Sequence, residues 1–200
     1  MSNFEIKTGV FIAIFAAFMA VNDLFAGKYG DDEIMNTNNK AAAYQWYQSK
    51  SIKQSLAEGE SSLLSSLLES NAIAAKSEDG IKNHINKLNF KIKKYEKEKA
   101  EILLGSKQVG KENWIQDVDG ELGKVIGAKE IEKNLEILGS AGDKFDLATL
   151  FFQICLVIGA IAIIIKQEKM QMLFFVFMIV LGCFGTLFSY QALMIAGQIS

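Results

Sequence analysis

The sequence predicts an all-α membrane protein, with three transmembrane helices and an extramembrane helical hairpin or coiled-coil domain. Three stretches are apolar over about the 20 residues that a helix needs to cross the hydrocarbon of a bilayer. Between the first and second of these, Lys and Glu dominate, and apolar residues recur at alternating steps of four and three. Proline is absent from all 200 residues, so no ring interrupts a long helix.

The first element, residues 1–27, holds the apolar run Thr8–Gly27. Its N-terminal stretch is barely basic and no small-x-small cleavage site follows, which predicts an uncleaved signal anchor rather than a signal peptide. Asn22 and Asp23 interrupt the run close to its end. There they are expected to reach interfacial water or to bond between packed helices.

The second element, residues 28–144, is expected outside the membrane. Ile81, Ile85, Leu88, Ile92, Tyr95 and Ile102 form a heptad seam, with Lys99 at the skipped place. Upstream, Ile52, Leu56, Leu63 and Leu67 keep the same register, with Gly59 intervening. The "SEDG" at 77–80 marks a break, so helices over about 31–76 and 80–104 fold back as a hairpin. Glycines scattered through 105–127 predict an irregular excursion. A further helix at about 128–139 then leads through "GSAGDKF", where Asp143 is placed to cap the next span.

The third element, residues 145–200, contains the spans Leu147–Ile165 and Met172–Gly197, joined by "KQEKMQ". So short a link forces an antiparallel transmembrane hairpin, and its lysines favour the cytoplasmic side. The N-terminus then shares that side and the helical domain lies opposite, in the periplasm if the membrane is a bacterial inner membrane. Gln153, inside the second span, is expected to make a hydrogen bond across helices.

Several function classes find no support. The chain has no Arg, and its formal net charge is −2, which gives neither the guanidinium forks nor the basic excess of a nucleic-acid binder. The only cysteines, Cys155 and Cys183, lie in apolar spans and read as packing residues, and His84 is the only histidine. "DVDGELGKVIGAKE" is not a calcium loop. With Gly120 at the turn glycine, Ile115 and Ile126 fall at the first and twelfth positions, where a carboxylate is needed at the last. No metal, cofactor or catalytic site is expected, and the chain is read as a non-enzyme.

The segment "AAAYQWYQSKSIKQ", residues 41–54, is aromatic without being apolar. On a straight helix Tyr44 stands about 19 residues past Phe25, roughly 30 Å beyond the membrane edge at ~1.5 Å per residue. That is too far for an interfacial belt. Tyr44, Trp46 and Tyr47 are therefore expected to contact protein, both the chain's own second helix and another subunit.

This string, followed by "KYEKEKAEI" and "DKFDLATLFFQICLVIGAIA", resembles an uncharacterised bacterial membrane family, domain of unknown function 4337, over nearly the whole chain. The resemblance implies an inner-membrane protein, helical outside the bilayer, with no assigned activity and no catalytic residues to carry over. The expected function is a homo-oligomeric scaffold or accessory subunit in a lipid bilayer, with further copies of the chain or another membrane protein as partner. Its interface would use Tyr44, Trp46, Tyr47, Ile52, Leu56 and the seam from Ile81 to Ile102. The alternative is a channel or transport component with Asp23, Thr149 and Gln153 along a polar path.

Overall fold

The structure is a computed structural model that describes residues 3–199. It is all-α, with helices α1 (Asn3–Glu69), α2 (Glu78–Leu104), α3 (Ser106–Val109), α4 (Ala128–Ile164) and α5 (Glu168–Ala196). A two-stranded antiparallel ribbon, β1 (Asp117–Val118) and β2 (Glu121–Leu122), lies between α3 and α4. α1, α4 and α5 each contain a stretch long and apolar enough to cross a membrane.

Three helix boundaries differ from the sequence expectation. α1 is one helix through Gly27 and Gly30 rather than a span followed by a separate helix from about 31, and it ends at Glu69 rather than near 76. Asn71 stops it by taking a left-handed backbone, φ 54°. The amides of Asn71 and Ala72 then bond back to the carbonyls of Leu68 and Leu67, which satisfies two of the helix's orphan acceptors. α4 likewise runs unbroken from Ala128 to Ile164, so Asp143 is an interior residue and caps nothing. Glycine inside a helix costs only about 1 kcal/mol. Leu138, Ala141 and Phe145, all buried around Gly139 and Gly142, offset that cost through packing.

Contacts divide the chain into two units: residues up to Asn36 with those from Asn134 onward, and Thr37–Lys133. The first unit holds the apolar stretches. Its core gathers Phe15, Ala148, Phe152, Cys155, Met178 and Leu181. Small residues set how closely the helices approach: ring atoms of Phe15 occupy the space a side chain on Gly182 would need, and Phe152 does the same at Gly185. A second cluster of Ala141, Phe145, Ala192 and Ala196 is flanked by Phe25 and Tyr29, with Tyr29 stacked on Phe145 at 5.8 Å. The outward faces of this unit are apolar, as Leu24, Val157, Leu173 and Leu187 illustrate.

The second unit is built on the later part of α1 and on α2. Lys50 meets Glu98, Glu60 meets His84, and Ser61 meets Asn89, an order that makes the two helices antiparallel. Within 105–127, the excursion has a defined form. Asp119 (φ 54°) and Gly120 (φ 82°) make the turn between the two strands, and Asp117 Oδ1 accepts a hydrogen bond from the Gly120 amide. Two successive left-handed residues suit the twist of a tight hairpin, and Asp-Gly is a sequence pair that adopts them readily.

Candidate functional site

The candidate interface residues do not all lie on one surface. α2 turns its heptad seam inward: Leu88 and Ile102 are buried, and Ile81, Ile85, Ile92 and Tyr95 are half-buried. α1 does the opposite. The face it packs inward carries Lys50, Gln54, Ala57 and Ser61, while its apolar stripe points out. Ile52 is 54 % exposed, Leu56 68 %, Leu63 61 % and Leu67 37 %. These residues share a register with the α2 seam, but they do not pack against it.

The aromatic segment is tied into its own unit. The Tyr44 hydroxyl donates to Glu132 Oε1 at 3.1 Å, and the Lys99 ammonium sits 5.5 Å from the centroid of the Tyr47 ring. Trp46 is half-buried and Tyr44 exposed. The bond to Glu132 raises the Tyr44 pKa above its ordinary value, with smaller contributions from burial and from the carboxylate's charge.

Two carboxylates in the core of this unit escape sequence reasoning. Glu98 Oε2 lies 2.7 Å from Lys50 Nζ, and Lys94 Nζ is 3.7 Å from Oε1. The Lys50 contact is an ion pair by distance and charge. Glu101 is fully buried. Its Oε1 accepts from the Ser106 hydroxyl at 2.7 Å, and its Oε2 accepts from the amides of Ile115 and Gln116 at 2.9 and 2.8 Å. Ser106 extends the network: its Oγ accepts from the Val125 amide, and its carbonyl accepts from Trp114 Nε1 at 2.7 Å. Gly105, at φ 88°, lets the chain leave α2 directly against Gly127, whose amide nitrogen is 2.9 Å from where a Cβ would sit. The one sequence signal for these carboxylates is their place beside the seam, next to Lys99 and Ile102.

In the first unit, Asn22 is fully buried. Its Nδ2 donates to the Phe145 carbonyl at 3.2 Å and to Thr149 Oγ1 at 2.9 Å, and the Thr149 hydroxyl donates to Asp23 Oδ1 at 2.8 Å. Asn22 Oδ1 is buried and has no hydrogen-bond partner among the described residues. Gln153 does not join this cluster; it faces outward. Among the described residues, no group of three or more His, Cys, Asp or Glu side chains could hold a metal ion.

The architecture is that of an all-α chain with three membrane-capable helices and a separate antiparallel helical unit. A family model described as domain of unknown function (DUF4337) matches residues 4–195, and the chain belongs to that family. No curated protein and no solved structure matches it.

Proposed function

We propose that the protein is a non-enzymatic, homo-oligomeric membrane scaffold or accessory subunit, and that copies associate through the outward stripe of α1. The supporting observation is the exposure of Ile52, Leu56, Leu63 and Leu67 in a single chain. Four large apolar side chains at near-heptad spacing, left in water, are a partner surface. Charge supports a like partner. Residues 37–69 carry Lys40, Lys50 and Lys53 against Glu58, Glu60 and Glu69, so two copies of this helix do not repel. The seam of α2 serves the chain's own fold and contributes to assembly only indirectly.

Copies held in one bilayer with one topology are related by an axis along the membrane normal. Like stripes therefore meet in parallel and in register. Gln153 fits the same reading, since an outward amide on an apolar helix gains a hydrogen bond when a second copy supplies the partner. The reading as a channel component has less behind it. Asp23 and Thr149 bond to each other, and Gln153 lies apart from them. The orientation with α4–α5 turning in the cytoplasm remains part of the proposal and rests on Lys166 and Lys169.

Native mass measurement in mild detergent tests the assembly. The wild type is expected as one discrete oligomer, and Leu56→Glu with Leu63→Glu as a monomer of unchanged helix content. A monomeric wild type, or a variant of unchanged mass, contradicts the proposal.

A further inference from the structure

The second unit carries another unpartnered surface, on α2, whose chemistry is different. Phe90 is 72 % exposed on a helix that buries its apolar residues elsewhere. A groove of ≈ 500 Å³ opens beside it, walled by Phe90, Ile115 and the stems of Lys93, Lys94 and Lys97. Lys91 lines a second hollow that also touches Phe90. The floor is therefore apolar and the rim is ammonium.

The charge here is one-sided. Lys94 is shared with buried Glu98, and Lys97 reaches the Glu112 carbonyl at 3.5 Å. Among the described residues, Lys91 and Lys93 have no acidic partner. Of the exposed acids nearby, Glu96 lies about 120° around the helix from Phe90, and Glu112 accepts from Asn113 Nδ2 at 3.3 Å. Paired with its own kind, such a face would set lysines against lysines, so it does not serve the self-association of α1.

We propose that this groove docks an acidic peptide segment of a different protein, with one apolar or aromatic side chain seated between Phe90 and Ile115 and carboxylates against the lysine rim. Charge complementarity selects the acidic class. The size and apolar lining of the groove favour a peptide over a bilayer surface: a hollow of ≈ 500 Å³ has room for one large side chain between Phe90 and Ile115, and anchors of that kind dominate binding at interfaces. The docking is independent of whether the chain oligomerises.

The test uses the full-length protein in nanodiscs of zwitterionic lipid. The probe is a fluorescent synthetic peptide of glutamates around one tryptophan, followed by anisotropy. Controls replace the tryptophan with glycine or the glutamates with lysines. Phe90→Ser and the pair Lys91→Glu, Lys93→Glu change exposed side chains, and circular dichroism checks that each variant stays folded. The wild type is expected to bind the probe, to lose it on added salt, and to bind each control roughly tenfold more weakly or worse; each variant loses a similar factor for the probe. The proposal is overturned if the probe does not bind, if the variants bind it as the wild type does, or if the glycine control binds equally well. It is also overturned if vesicles of anionic lipid bind the wild type tightly while the probe does not compete, since the surface would then belong to a membrane.

Discussion

Tyr44 stands at the surface of its unit, yet its hydroxyl is committed to one acceptor, Glu132 Oε1. Removing the phenolic proton would place two negative groups side by side, so the bond belongs to the neutral phenol and holds its pKa above the ordinary 10.0. The sign of the linkage follows. What this bond contributes to stability is fully present below the ordinary tyrosine pKa, and it is lost as pH rises through the raised value. In a tyrosinate absorbance titration, the difference between wild type and Tyr44→Phe should therefore appear above pH 10, and Glu132→Gln should bring it back toward that value. A difference that titrates at the ordinary value in the wild type would mean the bond does not form. The sequence suggested that Tyr44 touches protein, because a helix carries it well past any headgroup layer. Glu132 was beyond reach, since 88 residues separate the two and nothing local marks the pair.

At the scale of elements, the part least legible in sequence is the excursion at 105–127. Its glycines hid the fact that one side chain organises it. Glu101 accepts from a hydroxyl and two backbone amides in full burial, and so it fixes where the chain returns after α3. Glu101→Ala would strand all three donors at ~1–3 kcal/mol each. Hydrogen exchange at the Ile115 and Gln116 amides should then speed up by about two orders of magnitude, while amides in the middle of α2 change less. Unchanged protection at 115 and 116 would show that the loop is held by something else. The α2 seam was legible because its period is that of a helix packed on one side. Its partner face was not. Heptad spacing shows which residues share a stripe, but not which stripe the fold turns inward, and on α1 the inward face carries half-buried Lys50 and Gln54 and buried Ala57 and Ser61 instead of the leucines. An ion pair to Glu98 and a bond from Ser61 to Asn89 make that polar face adequate to pack. Helix ends failed for a related reason. The glycines at 139 and 142 read as a stop, but buried neighbours carry α4 through them, whereas the plain-looking Asn71 ends α1 by adopting a left-handed turn.

For the molecule as a whole, the three apolar stretches are its clearest feature, and their composition alone revealed them. Over each stretch the outward side chains are mostly apolar. Beyond the expectation that a bilayer covers those faces, a single chain leaves open the α1 stripe, apolar and charge-balanced, and the Phe90 groove, apolar and basic. We assign the first to copies of the chain and the second to a foreign acidic segment. Cysteine cross-linking in native membranes tests the first assignment most directly, with Cys155→Ala and Cys183→Ala as background. A cysteine at position 56, on the stripe, should join two copies rapidly under mild oxidant because like stripes meet in register. A cysteine at position 57, where Ala57 is buried against its own chain, should not. Equal reaction at both positions, or none at position 56, would contradict assembly through the outward face of α1.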